Sequence, residues 1–343
     1  MNNGLVNYNT FRRNDIKVIR EVEKNIYAIN VPLKGNPLKR LNSYFIRGDE
    51  YDLLIDTGFR RDSCREALEE ALEALRSDKS RRRVLCTHLH SDHSGMADLF
   101  AGENQPIFMS EKDIWMHGQF AIGKARRESQ ERFLKEGFPS DVLALVYATN
   151  PASTEAMPAG DPRVHPLRDG EVIRVGDYEL QTVWVPGHTP GNCMFWESSR
   201  QLIFTGDHVL FDITPNITDW PGFEDSLGLY LDSLRKSKEF PVRLALPGHR
   251  ETSDYHERID TLLVHHAKRL AEQERIIAQE PGHTAYELAG QLQWKIRARN
   301  WQEFPAIQKW FAVGECMAHL DYLLKRGHIT KYEEGGFVRY KKA

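Results

Sequence analysis

The sequence is poor in cysteine and lacks long apolar segments. Its 343 residues include four cysteines, Cys64, Cys86, Cys193 and Cys316, which lie far apart and form no Cys-x-x-Cys pair. This spacing argues against a disulfide-stapled module and against a thiolate zinc site, and we expect free thiols. No apolar run reaches the roughly 18 residues needed to cross a bilayer, and the first residues lack the apolar stretch of a signal peptide. We therefore predict a cytoplasmic protein that does not bind a membrane.

The chain also lacks a large charge of one sign. It carries 46 lysines and arginines against 49 aspartates and glutamates, a formal net charge of -3, which excludes a globally basic nucleic-acid binder. With 41% hydrophobic and 28% charged residues, it has the composition of an ordinary globular protein of one large or two smaller domains. From Arg258 onward the segment is mildly basic, with 14 lysines and arginines against 10 aspartates and glutamates.

Short β-rich segments alternate with helical ones from Ile16 to about Pro247, which is typical of a layered α/β architecture. Two strand-rich blocks flank a helical insertion at about residues 110–151. After residue 256 three helical segments follow, and two alternating runs around Gly335-Gly336 indicate a hairpin. Three helices and a terminal hairpin are the pattern of a winged-helix domain. We therefore predict two domains, residues 1–256 and 257–343.

Histidines and a carboxylate collect where the predicted strand RRVLCTH ends. The segment THLHSDHSG places His88, His90, Asp92 and His93 within six residues. Imidazole nitrogens and carboxylate oxygens are suitable ligands for zinc or iron, and a loop that leaves a strand end can turn several of them inward. Three imidazoles and a carboxylate would pack poorly as an apolar core. The segment therefore predicts a metal site.

Three further strand ends carry similar groups. His188 in WVPGHTPG and His249 in LALPGHR each follow a Pro-Gly turn that presents the next side chain. Asp207 in LIFTGDH ends another apolar strand with a carboxylate, a group suited to bridging two cations. Each residue alone is compatible with ordinary turn chemistry, but their occurrence together favours one common site.

Taken in order, the motifs H-x-H-x-D-H, PGHTPG, GD and PGH resemble those of the metallo-β-lactamase superfamily, and LLIDTG with Asp56 matches its first motif. The resemblance spans roughly residues 16–252 and implies an αββα sandwich with a dinuclear metal site between the sheet edges. By motif position, Asp207 would bridge the two cations, and Asp56 would orient a ligand through a hydrogen bond. The remaining ligands would form two sets, His88, His90 and His188 for one cation, and Asp92, His93 and His249 for the other.

The resemblance implies a hydrolase that uses two divalent cations, zinc first, with iron or manganese as alternatives. Such cations lower the pKa of a bridging water, and Asp92 would accept or deliver the proton. We expect a small-molecule substrate, namely an ester, a thioester or a lactone, held against apolar side chains of the helical insertion such as Trp115 and Phe120. His208, the residue after Asp207, departs from the pattern of the lactone-opening members of the superfamily. The C-terminal part of this sequence does not match the C-terminal half of the glutathione thioesterases.

An alternative function is a metal-dependent endoribonuclease that acts on single-stranded RNA. A sandwich followed by a winged helix resembles the lactamase-β-like subgroup, some of whose members cleave such RNA. The segment WKIRARNW, with Lys295, Arg297 and Arg299, mixes cations with aromatic rings that suit bases and phosphates, and the hairpin adds Arg339. The tryptophans Trp294, Trp301 and Trp310 equally suit packing against the sandwich or against a second subunit in a homodimer. A ligand-binding regulator with a vestigial site is a third reading, which the full ligand set disfavours.

Overall fold

The structure is a computed structural model that describes residues 12–13, 16–295 and 298–343, so Arg297 lies outside the described residues. A short pair of strands, β1 (Arg12–Arg13) and β2 (Ile16–Lys17), precedes a seven-stranded sheet. The strands of this first sheet lie side by side in chain order: β3 (Ile19–Glu23), β4 (Ile26–Pro32), β5 (Arg40–Ile46), β6 (Asp52–Ile55), β7 (Arg82–Leu85), β8 (Ile107–Ser110) and β9 (Val164–Leu167). Neighbours run antiparallel from β3 to β6 and parallel from β6 to β9, so β6 and β7 end at the same edge.

A second sheet of five strands follows in chain order. Its strands are β10 (Val172–Val175), β11 (Tyr178–Trp184), β12 (Cys193–Glu197), β13 (Leu202–Gly206) and β14 (Leu244–Pro247). Buried and exposed side chains alternate along most of β11, the pattern of a strand with one face in the core. The last pair, β13 and β14, is parallel, so these two strands also end at one edge.

Apolar side chains between the layers fix the order of helices and sheets. The two sheets pack face to face through a core that includes Ile46, Leu85, Phe195, Phe204 and Leu246. Helix α1 (Asp62–Ala74) covers the outer face of the first sheet with its buried Leu68 and Leu72. A later helix over residues 226–238 covers the outer face of the second sheet with Leu227 and Leu231. This is the αββα sandwich expected from the sequence, which is thereby confirmed.

The helical insertion predicted at about residues 110–151 is present. After β7 come two one-turn helices, α2 (Ser91–Ser94) and α3 (Ala97–Phe100), and then β8 leads into the insertion. Its helices are α4 (Glu111–Ala121), α5 (Lys124–Lys135), α6 (Ser140–Thr149) and α7 (Pro151–Thr154). Short 3-10 turns lie at Lys79–Arg81 and Trp301–Glu303.

The C-terminal part contains the expected helices and hairpin. After α8 (Ser226–Lys238) the chain continues as α9 (Tyr255–Gln279), α10 (Ala285–Gln291), α11 (Ala306–Lys325) and a hairpin of β15 (Ile329–Glu334) and β16 (Phe337–Lys342). Helix α9 begins against the second sheet through Ile259 and ends in a separate core through Ile276. The division at residue 256 therefore falls in the first turn of a helix that serves both parts, and the domain boundary stays a prediction.

All four cysteines are buried and unpaired, as their spacing indicated. Across the part of the chain that the structure describes, no helix combines the length and the apolar character required for a membrane span.

The insertion packs against the C-terminal part, and Glu136 lies at this contact. Its carboxylate accepts a hydrogen bond from the Tyr340 hydroxyl at 2.7 Å, and its main-chain carbonyl accepts one from the Tyr286 amide at 3.1 Å. Glu136 is only 2% exposed. Burial raises the pKa of Glu136 to about 7 from its ordinary value of 4.5.

This raised pKa predicts a pH-dependent stability. Between about pH 4.5 and 7 the folded chain keeps the Glu136 proton while the unfolded chain releases it, so the free energy of unfolding falls as the pH rises. Glu136→Gln stays neutral and should remove this dependence, which makes the variant more stable than the parent at pH 8 by about 1–3 kcal/mol. Urea unfolding of the metal-free protein from pH 5 to about pH 8 measures this difference.

The control is Glu128→Gln, an exposed carboxylate on helix α5, which ends one residue before Glu136; it should leave the pH profile of the parent intact. A Glu136→Gln variant whose stability relative to the parent does not increase with pH would contradict the assignment.

Candidate metal centre

Five strand ends bring the predicted site residues to one edge of the sandwich. Asp56 follows β6, the segment His88–His93 follows β7, His188 follows β11, Asp207 follows β13 and His249 follows β14. Two of the strand pairs, β6 with β7 and β13 with β14, are parallel, so their carboxyl ends meet at the same edge of the molecule. In open α/β sheets, ligands bind outside such carboxyl ends. The fold therefore collects groups that are far apart in the sequence.

The first ligand group consists of three imidazoles. The His88 Nε2 atom lies 3.0 Å from the His90 Nδ1 atom, and one nitrogen from each of His88, His90 and His188 lies within 4.8 Å of the other two. The His188 Nδ1–H group donates to the main-chain carbonyl of Asn216 at 2.8 Å. Its Nε2 atom is buried and has no hydrogen-bond partner among the described residues. This orphaned nitrogen is what a metal ligand requires.

The second ligand group joins a carboxylate to two imidazoles. The Nε2 atoms of His93 and His249 lie 3.2 Å apart, and the Asp92 Oδ2 atom lies 3.4 Å from the His249 Nε2 atom. The His249 Nδ1–H group donates to the Arg40 carbonyl at 2.8 Å. Asp56 holds the other side of His93, with 2.7 Å between the Asp56 Oδ2 and His93 Nδ1 atoms. These bonds orient both rings so that their Nε2 atoms face a common point.

Asp207 lies between the two groups. Its Oδ2 atom is 3.7 Å from the Nε2 atom of His188 and 3.5 Å from that of His249, and its Oδ1 atom is 3.4 Å from the Nε2 atom of His93. One carboxylate thus reaches ligands of both groups, which is the position expected for a bridging residue. The neighbouring His208 does not join the centre, since its Nε2 atom pairs with the Ser237 hydroxyl at 2.8 Å.

The electrostatics of the centre fit a divalent cation. Burial and the neighbouring imidazole of His188 lower the pKa of His90 to about 3, so the ring is neutral and offers its lone pair. Burial alone would lower the pKa of His249, but the carboxylates of Asp207 and Asp92 raise it to about 9. Two buried carboxylates therefore attract positive charge to the second group. Imidazole and carboxylate together are the donors of zinc and iron sites.

The structure brings together all seven predicted ligands and places Asp56 beside them, while their roles as ligands stay a prediction. Sequence reasoning missed two neighbours of the centre. Trp220 stacks on the His90 ring with centroids 5.7 Å apart, and Asp113 accepts hydrogen bonds from two of the ligand loops. Neither lies in a motif. An acidic residue three positions after Ser110, at the start of a helix, signals only ordinary helix capping.

The comparison with known proteins agrees with this geometry. Residues 39–249 match the model of the metallo-beta-lactamase superfamily, and residues 302–343 match a metallo-beta-lactamase-like C-terminal domain. The first match covers more than half of the chain, so the chain belongs to the metallo-beta-lactamase superfamily. The family binds divalent metals, typically two.

Individual relatives extend the similarity beyond the sandwich. The chain is 26% identical over 313 residues to the probable metallo-hydrolase YqjP of Bacillus subtilis, covering 87% of this chain and 92% of that protein. It is 29% identical over 222 residues to the human acyl-coenzyme A thioesterase MBLAC2, covering 62% and 74% respectively. The solved structure of a metallo-beta-lactamase family protein from Thermus thermophilus superposes with a TM-score of 0.81 at 27% identity, covering 94% of this chain and 100% of that one.

Two groups of candidate ligands, with the Asp207 carboxylate between them, predict the metal content. Elemental analysis after reconstitution with zinc should give close to two ions per chain, and Asp207→Ala should lose at least one because its carboxylate reaches both groups. Asp212→Ala, an exposed aspartate in the same loop, is the matched control and should keep both. One ion or none in the parent, with zinc, iron or manganese, would refute a dinuclear centre.

Proposed function

We propose that the chain is a dinuclear metal-dependent hydrolase of a small acyl thioester, with an ester or a lactone as the related alternatives. The observation that carries this proposal is a set of seven ligands beside an apolar aromatic surface. Zinc is the proposed metal and iron or manganese are the alternatives, because a mixed nitrogen and oxygen donor set suits each. The relatives named acyl-coenzyme A thioesterase support the choice of a thioester. We further propose a cytoplasmic location, which the four buried, unpaired thiols support.

The aromatic surface begins at a metal ligand and runs outward. Trp220 stacks on His90, and the Phe120 ring meets Trp220 edge-on with centroids 6.1 Å apart. Phe120 is 37% exposed and Trp115, on the same helix α4, is 49% exposed. We call Trp115, Phe120 and Trp220 the aromatic wall. If an apolar acyl group packed against the aromatic wall, its carbonyl carbon would lie close to the ligand groups.

The residues of the centre supply positioning and proton transfer. A divalent cation held by the two ligand groups would supply an acidified water and would polarise the substrate carbonyl. Burial raises the pKa of Asp92, but the hydrogen bond from His249 lowers it to about 2, so Asp92 is a carboxylate at neutral pH. It can accept the proton that the attacking water loses and deliver it to the leaving sulfur.

The proton-transfer role of Asp92 predicts a defect in turnover. Asp92→Ala should lower kcat by roughly 10²-fold or more, the range that general acid–base catalysis supplies. The assay follows thiol release from a panel of acyl thioesters and acid release from a panel of esters and lactones, with rates normalised to metal content. Asp98→Asn, on the neighbouring helix α3 and paired with Arg60, is the control and should keep kcat. An unchanged kcat with only a higher KM would exclude proton transfer by Asp92.

The contacts within the C-terminal part favour a small-molecule substrate over RNA. Arg299 pairs with Glu303 at 3.1 Å, and Arg339 pairs with Glu334 at 3.0 Å, so these cations are already compensated within the chain. The aromatic rings pack inward: Trp310 stacks on Phe133 of the insertion with centroids 5.6 Å apart. We propose that this winged-helix-like part stabilises the sandwich and the insertion.

A salt series separates the two enzyme functions. One possibility is that phosphates contact Lys295, Arg297 and Arg299. The logarithm of the RNA binding constant should then fall with the logarithm of the salt concentration, with a slope near -0.7 per contact. The triple alanine variant should also lose RNA cleavage. For a small thioester we expect turnover that changes little with salt and is equal in the parent and the triple variant. RNA cleavage by the parent with a steep salt slope, lost in the variant, would favour the endoribonuclease.

A further inference from the structure

Asp113 lies where two ligand loops approach each other, in the first turn of helix α4. It is fully buried. Its amide donates to the Ser110 hydroxyl at 3.1 Å, which caps the helix and fixes the start of α4 against the end of strand β8. The Asp113 side chain is therefore held by a rigid element and points into the interior of the protein.

The Asp113 carboxylate accepts three hydrogen bonds from two different loops. Its Oδ2 atom accepts from the Leu89 amide and from the Thr189 hydroxyl, each at 2.8 Å, and its Oδ1 atom accepts from the Gly191 amide at 2.7 Å. Leu89 lies between His88 and His90, and Thr189 follows His188. The three bonds thus fasten both loops that carry the first ligand group, and none of them reaches the loops of Asp207 or His249.

The neighbouring backbone is shaped for this carboxylate. A Cβ atom on Gly191 would lie 2.0 Å from the Ser110 hydroxyl oxygen and 2.8 Å from the Asp113 carboxyl carbon, so only glycine fits there. Burial raises the pKa of Asp113 to about 6 from its ordinary value of 3.8, while its three hydrogen bonds act to lower it. A buried polar group whose hydrogen bonds are satisfied makes the segments that it joins more rigid.

Asp56 is the counterpart at the second ligand group. Its carboxylate accepts from the Thr87 amide and the Thr87 hydroxyl, each at 2.8 Å, and contacts the His93 Nδ1 atom. Asp56 belongs to a recognised motif, whereas Asp113 belongs to none. The two buried carboxylates nevertheless occupy corresponding places, one behind each ligand group.

We propose that Asp113 is a positioning residue for the His88, His90 and His188 group, holding its two loops together so that the three imidazoles are in place before a cation binds. The inference rests on the proposed metal centre but not on the substrate. Removing such a support around a metal site costs roughly 10- to 100-fold in affinity. The loss is larger at this metal position than at the other, because two of the bonds hold the loop that follows His188 and the third holds the Leu89 amide between His88 and His90.

The test measures metal affinity at each position. Metal-free parent, Asp113→Asn and Asp113→Ala are titrated with zinc against a chromophoric chelator, and zinc anomalous scattering from crystals of each gives the occupancy of both positions. We expect roughly a 10- to 100-fold weaker affinity and a lower occupancy at the His88, His90 and His188 position, with a smaller change at the other position. Asp56→Asn should show the reverse selectivity.

Two variants separate positioning from general destabilisation. Asp52→Asn removes another carboxylate that is 2% exposed and accepts from the Gly48 amide and the Ser77 hydroxyl, at the opposite end of strand β6. It should lower the unfolding midpoint of the metal-free protein without changing either affinity. Thr189→Val removes one of the three bonds with a side chain of similar shape, and it should give a smaller loss at the same position.

The proposal would be overturned by equal losses of zinc affinity at both positions. It would also be overturned if folded Asp113→Ala kept the parent's affinity at the His88, His90 and His188 position. Failure of the proposed function gives a different result, because a chain that binds two zinc ions with these selectivities but hydrolyses no thioester, ester or lactone leaves the role of Asp113 intact.

Discussion

Seven imidazoles and carboxylates lie together in a buried space at the edge of the sandwich. The rest of the structure has to offset the free-energy cost of burying them. Removing ionisable groups from water is costly unless they are paired, hydrogen-bonded or bound to a metal. Ligands on both sides of Asp207 lie within 4 Å of its carboxylate, so their charges cannot be set independently. A cation satisfies nitrogen lone pairs and carboxylates together, whereas protons satisfy only some of them.

The surrounding chain limits the freedom of these groups through main-chain carbonyls and buried carboxylates. His188 donates to the Asn216 carbonyl and His249 to the Arg40 carbonyl, and each bond leaves the Nε2 atom for the centre. Asp56 and Asp113 lie one step further out and hold the loops rather than the cations. Hydrogen bonds of this kind orient ligands in metal sites generally, and here they come from the first sheet, from the loop that follows β13 and from the insertion.

Sequence patterns predicted the sandwich, and they selected the side chains that the fold brings together, because both depend on local signals. Alternating strands and turn residues mark the strand ends, and His88, His90, Asp92 and His93 stand together in one turn. Asp113 and Trp220 could not be predicted in this way, because each acts through a contact with a segment far along the chain. The same holds for the packing of α9 against two cores, which no local pattern shows.

The insertion connects the candidate metal centre to the C-terminal part. The C-terminal part can therefore have a structural role that does not require nucleic acid. Helix α4 carries Asp113 at its beginning and Phe120 of the aromatic wall near its end. In the next helix, Arg132 pairs at 2.8 Å with Asp219, the neighbour of Trp220, and at 2.7 Å with Asp321 on α11. Because one guanidinium joins the loop of the wall to a C-terminal helix, displacement of α11 would also disturb Trp220 and the His90 ring on which it stacks. These two ion pairs support the proposed stabilising role of the C-terminal part.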